Sequence, residues 1–231
     1  MKVDIGIIGA MQPEVEALIE ALADKACESV SGIDFYTGKI GEKSVAIAKC
    51  GIGKVFAAIC AEVMILKYSP DLLVNTGVGG ALASDLKTGD IVIADTLCQH
   101  DMDTSPIGDP KGLVSGINMI YFDADKRAGE ILLASAKELG LNARLGRIAT
   151  GDKFIASSAD KDSIVSDFSA DACEMEGCAI AQTAFVNGTP FAVVRAISDS
   201  ADGEATMDYP TFLGIASKNS TNLTLALVTK W

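Results

Sequence analysis

Histidine is almost absent: His100 is the only one in 231 residues. A Ser-His-Asp or Cys-His site would have to be built on it, and a histidine-rich metal site is excluded. The chain also lacks any CxxC pair among its six cysteines. Most of these sit in apolar or alternating segments, which reads as reduced thiols packed as small hydrophobes. No apolar run is long enough to span a bilayer. The run from Ile5 to Met11 is short, contains Gly6 and Gly9, and meets Pro13 and acids directly. It therefore reads as a buried first strand and not as a signal peptide. With nothing routing the chain to a glycosylating compartment, the sequons at Asn187, Asn219 and Asn222 carry no weight. Positive charge is scarce, with 19 Lys+Arg against 31 Asp+Glu and a formal net charge of −12. An acidic body repels phosphate backbones and anionic membranes, so neither nucleic acid nor membrane is expected as a partner. A cytoplasmic protein is the expectation.

What is present is a large apolar fraction, 49%, with 22% charged residues. That is enough to build a core, and disorder is disfavoured. The length suits one domain over residues 1–231. Strand and helix patterns alternate along it. Residues 3–8 are β-branched and nearly continuously apolar, as in a strand buried on both faces. Pro13 then opens a helix with Val15, Leu18, Ile19 and Leu22 at helical spacing. Residues 35–40 and 44–49 form a hairpin around Gly41-Glu42. Residues 53–68 are a helix apolar almost all round, hence expected to be buried. A strand over 71–75 runs into Gly77, Gly79 and Gly80. Further strands are expected at 91–94, 144–150 and 191–197, and helices at 124–139, 160–168, 176–186 and 209–230. The long polar stretch 98–116 is a loop of functional length. The fold class is α/β, with a largely parallel or mixed sheet.

In such sheets, ligands bind beyond the carboxyl ends of the strands. Those ends carry Met11 and Glu14, then Thr76 to Gly80, then Gly151 to Ile155, then Ser198 and Asp199, with Glu174 and Glu176 before a helix. Gly77 to Leu82 lacks the last glycine of a dinucleotide fingerprint, and Gly51 to Val55 lacks the spacing and hydroxyl of a P-loop. Taken singly, each acid has a plainer explanation. Glu14 and Glu176 suit first helical turns, and Asp199 could cap the next segment. Phe154 could be core, and His100 beside Asp101 and Asp103 could be an ordinary loop residue.

Six segments together are more specific: IGIIGAMQPEVEAL at 5–18, CGIGKVFAA at 50–58, LVNTGVGGALASDLKTGDIVIAD at 73–95, ATGDKFI at 149–155, CEMEGCAIA at 173–181 and FAVVRAISDSAD at 191–202. In these the chain resembles the 5′-methylthioadenosine/S-adenosylhomocysteine nucleosidases of the purine and uridine phosphorylase superfamily, nearly end to end. The resemblance implies a three-layer α/β/α fold with a central mixed twisted sheet. It implies hydrolysis of the N-glycosidic bond of methylthioadenosine and S-adenosylhomocysteine, in methionine salvage and recycling of S-adenosylmethionine by-products. It implies no cofactor, no metal, adenine nucleosides as small-molecule partners, and a homodimer.

It also implies roles. Glu14 activates water, Asp199 protonates adenine N7, and Ser198 orients Asp199. Glu176 binds the ribose hydroxyls beside Met175. Phe154 stacks on adenine and the Ile155 backbone binds its edge. Arg195 and Glu174 lie around the ribose. Met11, Ile52, Met207, Tyr209 and Phe212 lie near the ribose or the 5′ group, and Ile107 reaches a neighbouring subunit's site. Val78, next to Gly79, stands where some relatives have serine, and Ile107 where an aromatic is common. The chemistry is coherent: an acid for the leaving base, a base for water, and a carboxylate beside the oxocarbenium-like centre. A phosphorylase of the same superfamily, an aminofutalosine nucleosidase and a non-catalytic nucleoside-binding module are the competing readings.

Overall fold

The structure, a computed structural model, describes residues 1–202 and 205–231, with the side chains of 206–208 outside the description. The first half runs β1 (Ile5–Gly9), α1 (Gln12–Glu20), β2 (Ala23–Val30), β3 (Ile33–Ile40), β4 (Lys43–Lys49), α2 (Lys54–Tyr68), β5 (Leu72–Ala81) and β6 (Ile91–Gln99). The second runs β7 (Phe122–Asp123), α3 (Lys126–Glu138), β8 (Ala143–Thr150), α4 (Ser158–Phe168), β9 (Ala172–Glu174), α5 (Gly177–Val186), β10 (Phe191–Asp199) and α6 (Ala205–Lys230). Among the described residues, no helix is long and apolar enough to cross a membrane.

These strands form one mixed sheet. β1 pairs in parallel with both β4 and β5, and the antiparallel strands β3 and β2 extend the β4 side. On the other side the sheet closes on itself. β5 pairs in parallel with β10, β10 antiparallel with β6, β6 in parallel with β8, β8 in parallel with β9, and β9 antiparallel with β5. Every residue of β5 and of β10 is buried. One face is covered by α2 and α5, around Met64, Tyr68 and Ile180. The other is covered by α1, α3 and α6, around Leu18, Leu132 and Leu223. The result is the three-layer α/β/α arrangement.

Several sequence expectations are corrected. The strand expected to stop at residue 75 continues through the glycines to Ala81. Likewise β6 runs to Gln99, so the long loop starts later. β10 includes Ser198 and Asp199 instead of ending before them. β2, β7 and β9 lack the patterns that would announce them. β2 is exposed along its length, and the other two are two and three residues long. Helix α2, expected to be buried all round, leaves Val55, Phe56, Ile59 and Leu66 exposed. Five cysteines are buried as expected, but Cys27 on β2 is exposed.

Candidate active site

A cavity of about 260 Å³ opens at the carboxyl ends of β1, β5 and β10. It is lined by Met11, Glu14, Ile52, Val78, Gly79, Phe154, Ile155, Glu174, Met175, Glu176, Ser198, Asp199 and Tyr209, all expected from sequence. Ala10, Gly80, Lys153 and Cys173 line it as well; they lie within the segments read from sequence but have no role assigned there. Arg195 lies behind the wall. Phe212 is half-buried on α6 and is not among the lining residues. Ile107 is 83% exposed on a 3₁₀ turn away from the cavity wall. The side chain of Met207 lies outside the described residues.

Glu14 reaches the cavity because β1 feeds directly into α1. Its Oε2 accepts the N–H groups of Ala10 (2.7 Å) and Met11 (2.8 Å), and its Oε1 accepts that of Val78 (3.1 Å). The plain reading of a first-turn acid therefore holds at the same time, since Glu14 caps its own helix. Burial nevertheless raises its pKa, against the opposing pull of Arg195 and of the three N–H donors.

Across the cavity, Asp199 ends β10. A register irregularity between Ile197 and Asp199, opposite β5, turns the strand there. Ser198 Oγ donates to Asp199 Oδ2 (2.8 Å), and the Ala201 N–H donates to Oδ1 (2.9 Å).

The third acid, Glu176, sits at the N-terminal edge of α5. Its Oε1 accepts the Gly53 N–H from the start of α2 (2.8 Å). Its pKa is pushed up to about 7, first by burial and then by the neighbouring Glu174, with Arg195 opposing.

Glu174 is largely engaged by protein donors. Thr150 Oγ1 donates to Oε1, while Oε2 takes the N–H groups of Glu176 (3.0 Å) and Gly177 (2.7 Å) and the Arg195 guanidinium. Arg195 in turn donates to Asn75 Oδ1 (2.5 Å) and the Val194 carbonyl (3.0 Å), and lies 3.9 Å from Glu176. Both residues are buried, and their charges are compensated within this network. Asn75 and Thr150 are thus site residues that sequence reasoning missed, whereas Gly53 lies in the glycine pair 51–53, a close-approach backbone site beside a small ligand on sequence grounds. Asn75 and Thr150 act through short side chains which, although inside the quoted segments, announce no chemistry of their own.

Above these acids, Phe154 is 42% exposed and meets the Tyr209 ring edge-on, with centroids 5.5 Å apart. Tyr209 Oη donates to Met11 Sδ (3.1 Å). One wall is thus aromatic and the others carry carboxylates, which suits a flat heteroaromatic base joined to a polyol. Chemically, the site holds three separate carboxylates on different elements, Glu14 on α1, Asp199 on β10 and Glu176 at the start of α5, as acid, base and hydroxyl acceptor require. His100 lies outside this cavity, and burial lowers its pKa.

Comparison with known proteins agrees with this geometry. The family model for the phosphorylase superfamily matches residues 4–229. A 5′-methylthioadenosine/S-adenosylhomocysteine nucleosidase of Haemophilus influenzae is 40% identical over 225 residues, covering 97% of this chain and 98% of its own. Among solved structures, the nucleosidase of that name from Neisseria meningitidis, in complex with methylthio-immucillin-A, has a TM-score of 0.95 at 34% identity, over 98% and 99% of the two chains. The futalosine hydrolase of Helicobacter pylori is similar too, with a TM-score of 0.94 at 33% identity over 98% and 97%.

Proposed function

We propose that this chain, which belongs to the phosphorylase superfamily and within it to the 5′-methylthioadenosine/S-adenosylhomocysteine nucleosidases, hydrolyses the N-glycosidic bond of those two nucleosides. The products are adenine and the corresponding 5-thioribose. The observation that carries this reading is the convergence of Glu14, Glu176 and Asp199 on one cavity with an aromatic wall.

The reaction course proposed rests on the roles the resemblance implies, and the geometry of the cavity supports it. Adenine lies against Phe154, with Asp199 at N7 and the Ile155 backbone at the base edge. Glu176 accepts from the ribose hydroxyls, held in place by the Gly53 N–H. Glu14 orients a water on the far face of the sugar. As the C1′–N9 bond lengthens, its electron pair moves into the purine, and Asp199 delivers its proton to N7. The sugar acquires oxocarbenium character near the Glu176 carboxylate. Water then forms the new C1′–O bond and loses a proton to Glu14. Proton exchange with solvent resets both acids. A buried Glu14 with a raised pKa is a better base than a solvated carboxylate, and acid–base help of this kind is worth ~10²–10⁴-fold each. Met11, Ile52 and Tyr209 form the 5′ side.

Water is favoured over phosphate as the nucleophile. Among the described residues lining the cavity, Lys153 is the only cationic side chain, and its ammonium is paired with Asp160 at 2.7 Å. The guanidinium of Arg195 is engaged by Glu174 and Asn75. A phosphate nucleophile needs cations or N–H groups converging on it.

The catalytic unit is read as residues 1–231 acting as one domain, in a homodimer. Support for the dimer comes from the exposed Val55, Phe56 and Ile59 on α2, continuous with Ile52 at the cavity wall. Six unpaired cysteines suit a reducing cytoplasm.

The decisive assay is adenine release from methylthioadenosine in phosphate-free buffer. S-adenosylhomocysteine, 5′-deoxyadenosine, 6-amino-6-deoxyfutalosine and adenosine are compared in parallel. Turnover without phosphate, fastest on the 5′-thio nucleosides, is expected. A strict phosphate requirement would sink the reading, and a preference for aminofutalosine would move it to that substrate.

A further inference from the structure

Two consecutive backbone N–H groups at the start of α2 serve different halves of the site. The Gly53 N–H donates to Glu176, and the Lys54 N–H donates to Asp152 Oδ1 at 2.8 Å. Asp152 stands just ahead of Phe154 in a segment without regular structure. Its own N–H donates to Asp101 Oδ2 at 2.8 Å. Asp101 Oδ1 accepts the Lys54 ammonium at 2.6 Å, and the same ammonium donates to Gln99 Oε1 at 3.0 Å. The three residues close a ring: Lys54 to Asp152, Asp152 to Asp101, and Asp101 back to Lys54. Gly53 makes the close approach feasible. It has φ +100°, and a Cβ there would stand 3.0 Å from Asp152 Oδ1.

We propose that Lys54, Asp101 and Asp152 are positioning residues that hold the base-stacking segment 152–155 in register with the ribose-holding Glu176. This rests on the roles given above to Phe154 and Glu176. A single exposed ion pair contributes little. Here the Lys54 and Asp101 side chains are only 20% and 30% exposed, and each member of the ring bonds both others. The Asp101 carboxyl is held below its ordinary pKa. Burial pushes it up, but Lys54 and the Asp152 N–H outweigh that, so the Asp101 carboxylate stays charged across the neutral range. The ring orders the base loop before substrate arrives. Without it, the cost of ordering Phe154 falls on binding. Base and sugar are then recognised as one rigid unit, and the loss shows in affinity more than in the chemical step.

The test uses Asp152→Ala, Asp152→Asn, Lys54→Met, Asp101→Asn and the Lys54→Met/Asp101→Asn double variant. Asp152→Ala is expected to raise KM for methylthioadenosine about tenfold, the scale of one lost charge-assisted hydrogen bond, with kcat within about threefold. Inhibition by free adenine weakens in parallel. Asp152→Asn, which keeps the acceptor oxygen, restores most of the affinity. The double variant costs no more than the worse single one, because both break the same ring. Hydrogen exchange on the free protein shows faster amides at 152–155 while α6 is unchanged. KM, adenine inhibition and exchange all within twofold of the parent would overturn the proposal. So would a loss confined to kcat. The exchange arm needs no turnover, so it judges the ring even if the parent releases no adenine, a result that would count against the nucleosidase reading alone.

Discussion

Gly77 faces Glu14 so closely that a Cβ built on it would stand 2.5 Å from Oε1 and 3.0 Å from Cδ. The strand β5 carries glycine there because the Glu14 carboxylate occupies the space. Gly77→Ala is therefore expected to displace Glu14 while leaving the fold intact. A misplacement of about 1 Å costs ~10²-fold in rate. Steady-state kinetics together with circular dichroism check this. Parent-like kcat in a folded Gly77→Ala variant would show that Glu14 does not need its present position.

Glu14→Gln and Asp199→Asn remove proton transfer with little change of shape. Each is expected to lower kcat by ~10²–10⁴-fold with KM changed only a few-fold. Single-turnover measurement of adenine release separates the chemical step from product release. Full turnover by either variant would remove that residue from the reaction.

Glu176 has a pKa raised to about 7 by burial and by Glu174. Only its ionised form accepts both ribose hydroxyls. The kcat/KM for methylthioadenosine is thus expected to rise as pH increases through about 7. Stability moves the other way. A carboxyl that holds its proton more tightly when folded supports the fold below its unfolded value near 4.5, and that support is lost as pH rises through about 7. Glu176→Gln should flatten this slope, melting above the parent at pH 8 by roughly 2–4 °C per kcal/mol of relieved charge. Equal slopes in the two proteins would show that Glu176 ionises normally.

The exposed face of α2 gives a prediction about assembly. Phe56→Glu places a charge among Val55, Ile59 and Ile52. Light scattering at micromolar concentration is expected to report a dimer for the parent and a monomer for the variant. A monomeric parent would mean that the face serves something else.

Much of this site is legible in the sequence through the six segments that carry the family resemblance, because taken singly each acid also suits a helix start or a cap. What the residues themselves show is placement: Glu14, Glu176 and Asp199 each stand at the end of an expected strand or the start of a helix. The supporting parts were less legible. Gly53 acts through its N–H, which every residue but proline carries. Thr150 and Asn75 are ordinary strand residues until β9 and β10 bring Glu174 and Arg195 beside them. The glycines of β5 hid its length, because glycine is depleted in strands. Here they are needed where Glu14, the Cys173 carbonyl and Asp199 crowd the backbone. Helix α2 was misjudged for a related reason: an apolar residue on every face does not say which face meets the core.

The closed circuit β5–β10–β6–β8–β9 has a consequence in time. Its seam joins residues 72–81 to 191–199, so it cannot close until β10 is available. A growing chain that has reached α5 already carries Glu14 and Glu176 but neither Arg195 nor Asp199, and Glu174 has no cation. Long-range pairings of this kind form slowly, after local helices and hairpins. During refolding, activity should therefore return later than helical circular dichroism, because the last strand supplies both Asp199 and the Arg195 counter-charge of the buried acids.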